Sequence, residues 1–163
     1  MANLVIPTPQ KPRRIELATN VMREENIAAV AIYPGMLAML TSTGQVQPHT
    51  TSGGAAMKRF VVEEALVSRN DPAQSGGVSN VNTQYAIGAL VPSRVYRAGD
   101  RINALLVAGQ NYPVGTKLMS DGAGRLTPVT STNVVLAEVD EFGGGVNLTA
   151  TGAVDTLCSV RLW

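Results

Sequence analysis

Cysteine, histidine and tryptophan occur once each in the 163 residues, and Phe, Trp and Tyr together make only 4% of the chain. A lone cysteine, Cys158, cannot form an intramolecular disulfide or supply a thiolate zinc site, so a buried thiol is its expected state. A lone histidine, His49, excludes a metal centre built on imidazoles and leaves one candidate base for any Ser-His-Asp arrangement. Charge is scarce too: 13 Lys and Arg face 12 Asp and Glu, a net charge of +1, and charged residues make 15% of the chain. Such a chain has no overall field drawing it to nucleic acid or to anionic lipid. No apolar run approaches the roughly 20 residues needed to cross a bilayer, and Pro7, Pro9 and Pro12 interrupt any secretory apolar region. No direct nucleic-acid or membrane partner is therefore expected, and synthesis and assembly are expected in a cytosol.

What is present divides the chain in two. Residues 1–14, MANLVIPTPQKPRR, hold three prolines and basic residues without an acidic one, which favours an extended arm without internal hydrogen bonds. Such an arm either stays disordered or orders on a neighbour, and Leu4, Val5 and Ile6 followed by Lys11, Arg13 and Arg14 suit an acidic partner surface. Residues 15–163 read as a single β-rich domain. Its first stretch, 15–30, is the best helix candidate, weakened by Asn20, Asn26 and β-branched positions, so at most one short helix is expected.

From Ile32 onward, short apolar stretches are bounded by Gly, Pro, Asn and Asp, as in Met36–Leu40, Arg59–Val67, Ile102–Val107, Lys117–Ser120, Val134–Val139 and Thr156–Leu162. In the last of these, Val154, Thr156, Cys158, Val160 and Leu162 alternate with Asp155, Leu157, Ser159, Arg161 and Trp163, the period of a half-buried strand. Many short strands with frequent turn signals predict an all-β barrel or sandwich.

A repeat lies inside this pattern. The stretch 33–48 resembles 112–128, and Gly35, Met39, Gly44, Val46 and Pro48 match Gly115, Met119, Gly124, Leu126 and Pro128 at one constant offset. The repeated object is a hairpin: a strand, a glycine-bearing turn (Ser42-Thr43-Gly44, or Asp121-Gly122-Ala123-Gly124), and a returning strand stopped by proline. An apolar run follows each copy. Two equivalent motifs predict two halves folded around one barrel-like core.

Between the copies, Ala98-Gly99-Asp100 is a tight turn launching Ile102–Val107, and Gly109-Gln110-Asn111 closes that strand. This turn, with Gly115-Thr116-Lys117-Leu118 and Asp121-Gly122-Ala123-Gly124-Arg125-Leu126, resembles the head decoration (cement) proteins of tailed bacteriophages over roughly residues 28–140. The resemblance implies a compact β-barrel or β-tulip domain on the outside of the mature head. It implies a homotrimer at local three-fold positions that clamps neighbouring major capsid subunits against the pressure of packed DNA, with an N-terminal segment on the shell. The arm fits that role in position and composition, and the expected location is the outer capsid surface of the virion. Two other readings stand beside it: a different β-rich virion component, such as a head fibre base, minor tail or baseplate protein, and a cellular β-barrel binding module or small hydrolase.

Parts for an enzyme are few, and no catalytic, cofactor or metal site is expected. His49, in Gln47-Pro48-His49-Thr50-Thr51, reads as a solvated loop residue at the end of the first hairpin. Glu63 and Glu64 are neighbours in an apparent strand and so face opposite sides, unlike an acid–base pair. Asp100, Asp121, Asp140 and Glu141 lack calcium-loop spacing and read as turn residues. Gly143-Gly144-Gly145 and Gly122-Ala123-Gly124 lack the context of a phosphate loop. Lys58-Arg59 and Arg94, Arg97 and Arg101 are basic spots without interleaved aromatics, suited to an acidic protein surface and not to stacking on single strands. Asn147-Leu148-Thr149 fits a glycosylation acceptor only by accident in a chain without a secretory signal.

Overall fold

The computed structural model describes residues 22–62, 84–150 and 153–163. In chain order the strands are β1 (Met22–Ile27), β2 (Leu37–Leu40), β3 (Val46–Pro48), β4 (Arg59–Val61), β5 (Leu90–Val95), β6 (Arg101–Leu106), β7 (Asn111–Tyr112), β8 (Lys117–Ser120), β9 (Leu126–Pro128), β10 (Ala137–Val139), β11 (Val146–Asn147) and β12 (Thr156–Leu162). Among the described residues one 3-10 turn, Glu141–Gly143, stands between β10 and β11. The fold is all-β, as the turn density predicts.

Residues 22–27, inside the stretch read as the best helix candidate, are a strand. β1 pairs along its full length with β5, from Met22↔Val95 to Ile27↔Leu90, and this ladder overrides the local helical preference of Met22, Arg23, Glu24 and Glu25. The alternation predicted for the last strand is present: Cys158, Val160 and Leu162 are buried, while Leu157, Ser159 and Arg161 are half-buried and Trp163 is exposed. Val154 lies exposed ahead of the strand.

The strands form two sets with the same order. In the first the order is β1-β5-β4-β2-β3; in the second, β10-β12-β6-β9-β8 close a barrel. The two hairpins of the sequence repeat share one register: Ala38↔Pro48, Met39↔Gln47 and Leu40↔Val46 recur as Leu118↔Pro128, Met119↔Thr127 and Ser120↔Leu126. The correspondence extends far beyond the hairpins. The β2–β4 pairs Leu37↔Phe60 and Ala38↔Arg59 recur as Lys117↔Glu138 and Leu118↔Ala137. The β4–β5 pairs Arg59↔Val95, Phe60↔Arg94 and Val61↔Ser93 recur as Ala137↔Leu162, Glu138↔Arg161 and Val139↔Val160. The parallel contact Leu106↔Leu126 that closes the barrel has its counterpart in the parallel bridge Ala28↔Val46. Val107 N donates to Leu126 O at 3.0 Å, as Ala29 N donates to Val46 O at 2.8 Å. The chain is thus a tandem of two equivalent five-stranded units.

Among the described residues two apolar clusters follow, where the sequence pattern suggested one. Ala28, Ile32, Ala38, Val46, Val61 and Val91 fill the first unit. The second cluster fills the barrel with residues such as Ile102, Leu106, Leu118, Leu126 and Val160, and also takes in Leu37, Phe60, Val62 and Tyr96 of the first unit. Strand alternation explains the split: Val61 points into its own unit and Phe60 points away from it, toward the second. Phe60 meets Tyr96 edge-on, ring centroids 6.2 Å apart.

Tyr112 is wholly buried in this second cluster, and its hydroxyl donates to Val107 O at 2.8 Å. Burial pushes its phenol up to about 12, against the lowering effect of hydrogen bonds to Thr127 and Val107. The folded chain therefore holds this proton after the unfolded chain has lost it. Stability from this group is complete below pH of about 10 and falls by roughly 2–3 kcal/mol as pH rises toward 12. Urea midpoints measured across that range, with Tyr112→Phe as the variant whose midpoint falls less steeply, check this.

Candidate interaction surfaces

The arm residues Leu4, Val5, Ile6, Lys11, Arg13 and Arg14 lie outside the described residues, as do Glu63 and Glu64. The turn residues are placed as follows. Gly35 and Gly115 share φ +82°, Gly44 and Gly124 have +78° and +80°, and Gly99 and Gly122 are also at positive φ. Asp100 accepts from Arg97 N at 2.8 Å. Asp121 accepts from Ala123 N at 2.7 Å and from Arg125 N at 2.9 Å, an Asx turn that sets the hairpin bend. Thr41 Oγ1 plays the matching part in the first hairpin, accepting from Gln45 N at 3.1 Å.

Gly35, Gly122 and Gly124 lie at the junction between the units; a side chain at Gly44, Gly99 or Gly115 would meet nothing within 4 Å. At the junction, Leu37 N donates to Gly124 O at 2.7 Å and Gly124 N donates to His49 O at 3.2 Å. Leu105 N donates to Gly35 O at 3.0 Å, and Gly53 N donates to Ser120 O at 2.9 Å. A side chain at Gly124 would stand 2.9 Å from Pro48 Cβ and 3.1 Å from Leu37 O, so only glycine fits there.

His49 departs from its reading as a solvated loop residue. It is buried in the junction with Nδ1 2.8 Å from Ser120 Oγ, and that oxygen also accepts from Gly122 N at 3.1 Å. A histidine–serine contact is chemically suggestive, but both side chains are enclosed and Ser120 is fully buried. The pair satisfies two polar groups inside a packed interface. Arg59 is likewise no surface spot for an acidic shell: it is buried, with Nη1 2.7 Å from Glu24 and 3.2 Å from Ser93 Oγ.

The outward face of the second unit carries a different grouping. Asp140, read from sequence as a turn residue, does cap the 3-10 turn by accepting from Glu141 N at 3.0 Å. It is also a buried carboxylate between two arginines, with Arg161 Nη2 3.1 Å from Oδ1 and Arg101 Nε 2.9 Å from Oδ2. The second of these is an ion pair without hydrogen-bond alignment. Arg101 lies over the exposed Phe142 ring at 4.3 Å, and Lys117 over Trp163 at 4.8 Å. Cationic groups backed by exposed aromatic rings are the composition of a protein-binding patch. Sequence reasoning missed Phe142, Arg161 and Trp163 as a group; the outward phase of Arg161 and Trp163 on the alternating last strand was the available signal. Among the described residues no three His, Cys, Asp or Glu side chains converge as a metal site.

The fold is similar to the crystal structure of the head fiber gp8.5 N base in bacteriophage phi29, with a TM-score of 0.56 at 11% identity, covering 88% of this chain and 95% of that one. No family model and no curated protein matches the sequence. At that identity the likeness is one of fold, and it spans both units.

Proposed function

We propose that this chain is a structural protein of a tailed-phage head, bound to the outside of the capsid. There it acts as a homotrimer at three-fold positions and clamps neighbouring major capsid subunits against the pressure of packed DNA. One observation supports this most: the tandem β-fold is shared over 88% of the chain with a protein described as a head fibre base. The decoration-protein resemblance of the Gly99-Asp100 and Gly115–Leu126 segments points to the same part of the virion. Clamping needs only many modest contacts repeated on a symmetric lattice, which act together. A sheet-built body with the Arg101, Phe142 and Arg161 face suits such contacts.

The second reading, a head fibre base, is favoured by the 95% coverage of that neighbour. The two differ in what is lost with the protein. Particles lacking a cement lose resistance to heat or chelator; particles lacking a fibre base keep it and lose a projecting density. Cryo-microscopy of particles with and without the chain tests both, and particles that carry it nowhere on the head would overturn the proposal. In the cement reading, removal of residues 2–14, with Leu4, Val5, Ile6, Lys11, Arg13 and Arg14, weakens particle binding by about tenfold or more. Unchanged binding and heat resistance after that removal would take the arm out of the interface.

A further inference from the structure

We propose that copies of this chain join head to tail, the Pro113–Thr116 turn and Trp163 of one copy seating on the Ile27–Leu90 end of the next. The idea deepens the self-association in the proposed function and rests on it only there.

The junction inside the chain is heterologous, because it uses different surfaces of two equivalent units. The first unit supplies a plug, the Gly35 turn, and the second supplies a socket, the Leu105–Leu157 end of its barrel with the Gly124 turn. Leu105 N donates to Gly35 O, and a side chain at Gly35 would strike Leu157. Leu37 N donates to Gly124 O.

Register equivalence gives every unit both parts. The partners Leu105↔Leu157 of the second unit correspond to Ile27↔Leu90 of the first. Gly44 corresponds to Gly124, and Gly115 to Gly35. One plug and one socket are joined within the chain, so one of each is left over. The leftover parts are open. Side chains at Gly44 and Gly115 would meet nothing within 4 Å, unlike those at Gly124 and Gly35. Ile27 and Leu90 are 43% and 53% exposed, and Val114, in the leftover plug, is 51% exposed. Trp163 follows β12 as Tyr96 follows β5: its N–H donates to Leu136 O as that of Tyr96 donates to Lys58 O. Yet Tyr96 is buried at the internal junction at 4% exposure, and Trp163 stands at 48%.

The leftover plug is also more polar than the used one. Leu37 and Phe60 correspond to Lys117 and Glu138. That difference separates a junction always closed from one that must remain soluble until a partner arrives. The occupant is a second copy because the missing counterpart of each open surface is present on this same chain. A heterologous contact propagates and closes into a ring when the rotation allows; three chains then place six units around one axis.

The test uses the full chain in solution, by light scattering with native mass spectrometry. Leu90→Lys blocks the socket and Val114→Lys blocks the plug, both at exposed positions, with circular dichroism confirming the fold. The wild type is expected as a closed oligomer and each variant alone as a monomer. An equal mixture of the two is expected to recover a one-to-one dimer, since each retains the part that the other has lost. A monomeric wild type, variants that keep the wild-type mass, or a mixture that stays monomeric would overturn the proposal. Particle binding is scored separately: an oligomer that ignores capsids sinks the head reading and leaves this one, and a monomer that binds capsids does the reverse.

Discussion

Gly124→Ala should cost the folded chain roughly 2–5 kcal/mol, and Gly44→Ala, at the same place in the equivalent hairpin, only about 1–2 kcal/mol. Both glycines sit at left-handed φ, +80° and +78°, so any other L-residue carries the same backbone cost at each. What differs is the space. The new Cβ at position 124 would press on the Pro48 ring and the Leu37 carbonyl, neither of which has a flexible end to swing away, while at position 44 it would face open surroundings. The difference between the two losses thus measures how tightly the units are joined, with the local strain cancelled. Urea midpoints of both variants give it directly. Equal losses would mean that the junction yields without cost.

Phe60→Ala is expected to cost about 3–5 kcal/mol, with Phe60→Leu well below that. The ring is fully buried, yet it fills no space inside its own unit; it packs among side chains of the second cluster and against Tyr96. Its removal should therefore change cooperativity as well as stability. Trp163 is the sole tryptophan and belongs to the second unit, so its fluorescence reports that unit, while far-ultraviolet dichroism reports both. In the wild type the two signals should fall together, the mark of one cooperative transition. In Phe60→Ala they should separate. Coincident curves with a small loss would show that the units are coupled elsewhere.

Much of the architecture was legible in the chain because turn chemistry is local. Glycine at positions 35, 44, 115 and 124 and proline at 48 and 128 announce the hairpins without reference to anything distant, and the register repeats as the spacing foretold. The alternation in 156–162 likewise named the inward side of the last strand. Illegible were the features decided by contacts across the sequence. Met22–Ile27 becomes a strand because β5, more than sixty residues away, offers it a ladder. His49 and Arg59 look like surface residues until the second unit covers the one and Glu24 pairs with the other. Of the wider repeat the chain shows only the apolar run after each hairpin; the equivalence of β1 and β5 with β6 and β12 is carried by pairing geometry, and residues such as Phe60 and Glu138 share a position but no chemistry.

The place of β12 in the barrel bears on how the molecule is made. Lying between β6 and β10, this strand joins the earliest and a late piece of the second unit, and Leu162 is buried against Ala137. During translation the five described strands of the first unit are complete once Val95 leaves the ribosome, whereas the second keeps two unsatisfied edges until residue 162 has emerged. Premature termination within those last residues would thus release a chain with an assembled leading half and a trailing half of open strands, the form most prone to aggregate.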